Sequence, residues 1–264
     1  MKHSPLTRGL LGFYTALVAF LLIAPTAVVI PLSFTDKASL SFPPTGWSTR
    51  WYRNFFEDPA WTSAFGNSIL VALIVVVVAT SAGTAAAVGI SRWKRRRWAK
   101  ASQVLVLAPL VVPSIILAIG IYAMFLRFQL LGTLLGFVAA HSILAIPFVL
   151  VSVTAALAGY DERLSTAAAS LGATRWESFR AVMLPLIMPG VVSGALFAFV
   201  TSFDEVVLSI FIKSPYLETL PVKMYASVTR DTDPTIAAAA TMIMLLTTVI
   251  IAVGLLSMRR RKHV

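Results

Sequence analysis

Cysteine is missing from the 264 residues of the chain, which excludes disulfides and thiolate metal sites. Charged residues are scarce as well: they make up 12% of the chain, whereas 58% of it is hydrophobic and the mean hydropathy is +0.85. A soluble domain needs a more polar surface than this, so the chain is predicted to cross a membrane several times. Acidic residues are the scarcest charged class, with 11 against 22 Lys and Arg. Because a basic surplus in a membrane protein usually marks cytoplasmic loops, this charge does not indicate nucleic-acid binding.

Catalytic motifs are also missing. No lysine follows a glycine, so the phosphate-binding loop GxxxxGK[ST] of ATPases does not occur in this sequence. Neither GxSxG nor HExxH is present, and the three histidines, at positions 3, 141 and 263, are not spaced as metal ligands. We therefore expect neither an enzyme nor a metal site, and an ATP-driven activity would require an ATPase on a separate polypeptide.

Long apolar stretches predict an all-α membrane protein that forms one transmembrane domain over residues 1–264. A helix satisfies its own backbone in lipid, whereas a lone strand does not. The first stretch is longer than a signal-peptide core and lacks a clear cleavage site, so we expect an uncleaved anchor. Prolines in the third and fourth stretches predict kinked helices. The six predicted spans cover residues 10–32, 64–90, 104–126, 134–157, 191–212 and 235–257.

Two connections are predicted to lie together on one side of the membrane. Residues 33–61 are rich in Trp, Tyr and Phe, which favour the membrane interface, and a short surface helix is expected over 51–56. Residues 213–234 are predicted to form an external loop.

Residues 158–190, which we call the polar loop, interrupt the hydrophobic pattern for longer than any other segment after the second span. Asp161 and Glu162 supply acceptors and negative charge for the start of a first short helix, and Gly172 is suited to end it. The apolar positions of this helix recur at helical spacing: Leu164, Ala167, Ala168 and Leu171.

A second short helix is predicted to follow directly. Thr174 and Glu177 have the spacing of a capping box. Pro185 and Pro189 are expected to break the helix. Its apolar face consists of Trp176, Phe179 and Met183.

The polar loop resembles a known motif at several positions. They are Ala167, Ala168, Gly172, Ala173, Phe179, Leu184, Pro185, Pro189 and Gly190. At these separations they resemble the EAA loop of the transmembrane subunits of binding-protein-dependent ABC importers. The acidic residue that begins the family's motif is Thr166 here, and Glu162 could replace it from one turn earlier.

The resemblance implies that the polar loop is a cytoplasmic coupling helix that docks on an ATP-hydrolysing subunit. The fold it implies is the six-helix permease fold of type I importers, with both termini in the cytoplasm. The docking residues it implies are Leu164, Thr166, Ala167, Ala168, Leu171, Gly172, Ala173, Trp176, Phe179 and Pro185.

The segment after the first span narrows the resemblance to one branch of the family. The stretch SFPPTG, followed by Trp51, Tyr52, Trp61, Asn67 and Ser68, is similar to the first external segment of spermidine/putrescine permeases. The branch implies an inner-membrane complex with a second, different permease subunit, two ATP-binding subunits and a periplasmic substrate-binding protein. ATP and Mg would bind to the ATPase subunits, and this chain would carry no cofactor.

Basic residues predict the orientation independently of any resemblance. An even number of spans puts both termini on one side. With the termini inside, that side holds two basic residues before the first span, six in the second connection, three in the polar loop and four at the C-terminus, out of 22 in all. The positive-inside rule therefore places the polar loop in the cytoplasm.

Two adjacent carboxylates, Asp204 and Glu205, fall inside the fifth predicted span. A charge at the bilayer centre costs about 2.5 to 3.5 kcal/mol on insertion scales. No Lys or Arg lies in any predicted span, so water, another chain or the cargo must compensate. Neighbouring residues of a helix diverge by about 100°, so we expect one carboxylate to face the pathway and the other a partner helix.

Three further residues complete the predicted substrate pathway. Phe199 and Phe203 are four residues apart and can flank an ammonium group by cation–π contact, although core packing is the commoner role. His141 lies at a similar predicted depth in the fourth span. Contact with a carboxylate is one interpretation of this histidine, and a hydrogen bond to a backbone carbonyl is the other.

The sequence leaves three functional classes open. The first is an importer permease for a small cation such as putrescine or spermidine, or for an opine, an amino acid derivative or a metal chelate. The second is an ion-coupled secondary carrier in which Asp204, Glu205 and His141 form a relay. The third is a membrane scaffold that transports nothing.

Overall fold

The computed structural model describes residues 5–93, 96–230 and 233–260. Across these residues the backbone is almost entirely helical, with isolated bridges at Thr35–Trp47 and Ser214–Leu217 in place of strands. The first helices are α1 Pro5–Leu32, α2 Arg50–Glu57, α3 Pro59–Ser91, α4 Arg96–Val111, α5 Ser114–Phe128 and α6 Leu134–Leu157. The later ones are α7 Glu162–Ser170, α8 Arg175–Ser178, α9 Leu184–Phe203, α10 Val207–Ile212, α11 Leu220–Arg230 and α12 Thr235–Arg260.

Four of the predicted spans are confirmed as single long helices: α1, α3, α6 and α12. Counting the helix that ends at Phe203, the described residues contain five helices long and apolar enough to cross a membrane, or six if one bent pair is a single span. These runs become helices because lipid offers the backbone no other partner. Several basic residues used to predict the orientation lie outside the described residues: Lys2, Lys94, Arg95, Arg261 and Lys262. Arg8, Arg96, Arg259 and Arg260 lie in helices, but their side chains are not described.

The third predicted span, 104–126, is wrong as one kinked helix. Two helices, α4 and α5, meet instead at an angle of 102°. The break falls just before α5, where Pro113 takes the position preceding the first helical residue with φ −53 and ψ 130. Proline lacks an N–H and disfavours helical geometry in the residue before it, whereas Pro109 is accommodated inside α4.

The fifth predicted span, 191–212, is wrong at both ends. One π-helical turn, Phe179–Met183, joins α8 to α9, so the helical path runs unbroken from Arg175 to Phe203. Pro185 directly follows the π-helical turn and Pro189 lies inside α9, so both prolines are tolerated within the helical path. The expectation that these prolines end the helix is therefore wrong. The chain leaves the helix only at Asp204–Val206, before the short α10.

The outer connections are partly as predicted. The surface helix expected over 51–56 is confirmed as α2. The loop expected over 213–234 is wrong, because it contains α11. Buried Leu220 and Val222 anchor the start of that helix, and the polar residues around them made the segment resemble a loop.

The chain folds as two compact units. The first comprises residues 1–62 and 224–246, and the second residues 63–223 and 247–264. In the first unit the Asn54 side chain donates a hydrogen bond to Thr235 Oγ1 at 2.8 Å, and the rings of Phe55 and Trp61 lie 5.9 Å apart.

In the second unit α6 forms the centre of the core and packs along α9. Val149 in α6 and Ile187 in α9 are fully buried. The two helices approach closely at Gly190, where an added Cβ would lie 2.8 Å from the Ser152 carbonyl oxygen and 2.5 Å from the Ala156 Cβ. Small residues at such contacts let helices pack tightly in membranes, which fixes α9 against α6.

Candidate functional site

The first helix of the polar loop begins and ends as predicted. Asp161 accepts a hydrogen bond from the Arg163 N–H at 2.9 Å and so caps α7. Gly172 follows the helix with φ +89, a left-handed conformation that costs glycine little. These local features are confirmed because each depends only on neighbours in the chain.

The capping box at the start of α8 is confirmed as well. The Glu177 N–H donates to Thr174 Oγ1 at 3.3 Å, and the Thr174 N–H donates to Glu177 Oε2 at 2.7 Å. The rings of Trp176 and Phe179 lie 5.5 Å apart on this second arm. The two arms therefore form a defined corner rather than an irregular loop.

Helix α7 has two different faces. Glu162, Ser165, Thr166 and Ala169 line a cleft of about 670 Å³ against the chain's own α3 end and α8. Leu164 and Leu171, at helical spacing away from these residues, are 44% and 90% exposed. The two leucine side chains are thus left uncovered by this chain and are available to another surface.

The predicted docking residues are mostly accessible. Thr166 and Glu162 lie one turn apart on the cleft side of α7. Ala168, Ala173 and Phe179 are half-buried. The exposed members are Leu164, Thr166, Ala167, Leu171, Gly172, Trp176 and Pro185.

A second candidate site is the helix break at Asp204–Val206. The two carboxylates sit after α9 rather than within a continuous helix, and they differ in their contacts. Glu205 Oε1 accepts a hydrogen bond from the Leu208 N–H at 2.8 Å and so satisfies the first turn of α10. Asp204 is exposed. Among the described residues, Lys213 and Glu218 form an ion pair that does not involve Asp204.

His141 contacts serines rather than a carboxylate. Its Nδ1 lies 3.1 Å from the Ser202 carbonyl oxygen and 3.0 Å from Ser202 Oγ, and its Nε2 lies 3.0 Å from Ser209 Oγ. The ring is fully buried. Of the two interpretations, the hydrogen bond to a backbone carbonyl is confirmed. The sequence analysis missed the two serines. The one signal available was their position on either side of Asp204 and Glu205 in the sequence.

The two phenylalanines pack on each other. The rings of Phe199 and Phe203 stack at a centroid distance of 5.4 Å and an interplanar angle of 13°, and they are 6% and 1% exposed. Phe65 adds an edge contact to Phe203 at 6.4 Å. This geometry is core packing and leaves no space for an ammonium group between the two rings.

Comparison with known proteins identifies the chain. A family model described as "binding-protein-dependent transport system inner membrane component" matches residues 79–262. The chain belongs to this family. The family confirms the resemblance in the polar loop: the protein is a membrane-spanning permease subunit of an ABC importer, located in the inner membrane. This family differs from the two other classes that the sequence left open, the ion-coupled carrier and the membrane scaffold.

Two relatives from Escherichia coli (strain K12) cover most of the chain. The putrescine transport system permease protein PotI is 33% identical over 254 residues, which are 92% of this chain and 89% of that protein. The spermidine/putrescine transport system permease protein PotC is 34% identical over 249 residues, or 93% and 91%.

Solved structures confirm the permease fold. A bacterial ABC transporter involved in the import of the acidic polysaccharide alginate aligns with a TM-score of 0.74 at 15% identity over 96% of both chains. The alginate transporter in complex with its pentasaccharide-bound periplasmic protein aligns at 0.70 and 17%, over 94% of this chain and 93% of that one. At such low identity the likeness concerns the fold alone.

Proposed function

We propose that this chain forms half of the translocation pathway for putrescine or spermidine in an ATP-driven importer. The names of PotI and PotC support this cargo class. The other half would be a second permease subunit. The resemblance to the polyamine branch implies that this subunit is a different chain. Two ATP-binding subunits and a periplasmic binding protein complete the complex, in line with the family description and the alginate complex.

The exposed Asp204 at the helix break is the observation that carries the cargo proposal. Non-helical backbone in a membrane protein is tolerated where it is buried in protein or lines a cavity. The carbonyl end of α9 is negative through the helix dipole, and the Asp204 carboxylate adds a full charge next to it. Glu205 is occupied by the Leu208 N–H. An ammonium group is therefore attracted to Asp204 in particular.

The length of the fifth helical path supports a position of Asp204 near the periplasmic face. The 29 residues from Arg175 to Phe203 extend about 43 Å as a helix, more than the hydrocarbon core of about 30 Å. Asp204 then lies towards the face opposite the polar loop. With the loop in the cytoplasm, that face is the one on which a periplasmic binding protein would release its cargo.

The polar loop is proposed as the coupling element. The exposed Leu164 and Leu171 would dock on the ATPase subunit, and the capped corner between α7 and α8 would transmit the movement of that subunit. ATP binding would close the ATPase pair and turn the pathway outward, and hydrolysis would reset it. The rigid contact of α6 with α9 gives this movement a path to the helix break.

The cargo proposal is tested by removing one charge without changing the size of the side chain. ATP-driven uptake of labelled putrescine is measured in proteoliposomes in which the orientation of the complex is known. The proteoliposomes contain the whole complex and are supplied with the binding protein. Asp204→Asn is expected to lower uptake about tenfold or more, because a hydrogen bond to a charged group contributes about 1.5 to 3 kcal/mol. Asp204→Glu should retain part of it.

Glu205→Gln is the matched control, because glutamine keeps an oxygen for the Leu208 N–H. We expect its uptake to stay within about twofold of the unmodified protein, since the hydrogen bond is kept. Wild-type uptake by Asp204→Asn would contradict the cargo proposal. An opine, an amino acid derivative or a metal chelate that stimulates ATP turnover in place of putrescine would contradict it as well.

A further inference from the structure

We infer that His141 is a positioning residue that holds the two sides of the helix break together and thereby sets the position of Asp204 in the pathway. The role of Asp204 in this inference rests on the proposed function. The position of the break does not, because it follows from contacts within the chain.

His141 joins three elements through one ring. It belongs to α6, and its Nδ1 reaches the Ser202 carbonyl at the end of α9 at 3.1 Å. Its Nε2 reaches Ser209 Oγ in α10 at 3.0 Å. Ser202 precedes Asp204 by two residues and Ser209 follows it by five, so the ring bridges the break from one side to the other.

The chemistry of a neutral imidazole suits this bridge. One ring nitrogen donates and the other accepts. With the proton on Nδ1, the ring donates to the Ser202 carbonyl and accepts from the Ser209 hydroxyl. The carbonyls of the last turn of a helix have no partner further along the helix, so a buried carbonyl there requires a donor from elsewhere. His141 supplies this donor from α6, a helix made mostly of apolar residues.

The other groups at the break complete the bridge. Glu205 satisfies the first turn of α10 through the Leu208 N–H. The far end of α10 is held by the Gly132 N–H, which donates to the Ile212 carbonyl at 2.8 Å. Of these residues Asp204 is the exposed one. Its position is therefore determined by neighbouring groups that are held by hydrogen bonds. Loss of the ring would free the end of α9 from α10.

The test uses the absence of cysteine from the chain. Asp204→Cys introduces a single thiol, to which a nitroxide spin label is attached in the purified complex. We expect a restricted label when His141 is present and a clearly more mobile one in His141→Leu. The same label at Leu171→Cys, on the polar loop, serves as the control and should not change, which separates a local effect from general unfolding.

Smaller changes keep the test decisive if His141→Leu does not assemble. Ser209→Ala removes only the contact to α10 and should also mobilise the label. In His141→Gln the amide reaches towards Ser209 and should restore part of the restriction. A label that stays equally restricted in His141→Leu and Ser209→Ala would overturn the inference.

Transport measurements separate this inference from the proposed function. With Asp204 intact, His141→Leu should lower putrescine uptake, and in the Asp204→Asn background it should cause little further loss, because both changes act on one site. If Asp204→Asn imports normally while the label responds to His141→Leu, the positioning role stands and the proposed function fails. If uptake requires Asp204 but the label ignores His141, the positioning role fails alone.

Discussion

The neighbouring carboxylates Asp204 and Glu205 differ in their hydrogen bonds and in their exposure. Glu205 has a longer side chain, which reaches forward to the Leu208 N–H. Asp204 directly follows the last helical residue and stays exposed. One acid therefore stabilises the start of α10, and the other is the one that we propose to bind the cargo.

The capping role of Glu205 is testable on its own. Glu205→Ala leaves a helix N–H unsatisfied, and loss of such a cap costs about 1 kcal/mol. Hydrogen exchange of the α10 amides should accelerate about fivefold, since that is the population change that 1 kcal/mol produces. Glu205→Gln should protect the same amides nearly as well as the native residue. Equal exchange in the two variants would show that the oxygen at position 205 does not cap the helix.

Residue-scale predictions succeeded where the partners are neighbours in sequence. The caps at Asp161 and at Thr174 were predictable because each acceptor lies two or three residues from its donor. The partners of His141 lie 61 and 68 residues away, so no local pattern contains them. The stacking of Phe199 on Phe203 was open to either interpretation, because the same spacing serves core packing and ligand contact.

Helices α6 and α9 leave little room for a larger side chain where they meet. Gly190 faces the Ser152 carbonyl, which is part of the α6 backbone and has little freedom to move. Helices associate in membranes through such close approaches of small residues. The element that carries Asp204 is thus held along its length as well as at its end.

A single methyl group should reveal this contact. Gly190→Ala would bring Cβ to 2.8 Å from the Ser152 oxygen, and overpacking of this kind costs about 1 to 3 kcal/mol. We expect a lower midpoint of thermal unfolding in detergent. Gly120→Ala in α5 is the control: nothing lies within 4 Å of the added carbon there, so its midpoint should stay the same or rise. Equal midpoints for the two variants would contradict tight packing of α6 on α9.

Element boundaries were the part that sequence could not supply. The same residue type ends a helix at Pro113, fits the first turn of α9 at Pro185 and lies inside α9 at Pro189. The three prolines differ in their position relative to the ends of the helices. The π-helical turn at Phe179–Met183 has no recognisable sequence signal. The four uninterrupted spans were predictable because length and hydropathy alone determine them.

At the scale of the whole molecule, one fold serves chemically opposite cargoes. The transporter with the TM-score of 0.74 is involved in the import of an acidic polysaccharide, whereas the relatives from Escherichia coli are named for polyamines. The fold alone therefore does not indicate the cargo. The distribution of basic residues predicts an orientation with the polar loop in the cytoplasm, and this stays a prediction.

Thiol labelling of two exposed positions tests the central claim most directly. Leu171 in the polar loop is 90% exposed and Tyr216 beyond α10 is 94% exposed, and the chain has no other thiol. A membrane-impermeant maleimide should label Tyr216→Cys from the periplasmic side and Leu171→Cys from the cytoplasmic side only, and bound ATPase subunit should protect Leu171→Cys. Labelling of Leu171→Cys from the periplasmic side, or full labelling with the ATPase bound, would contradict the account.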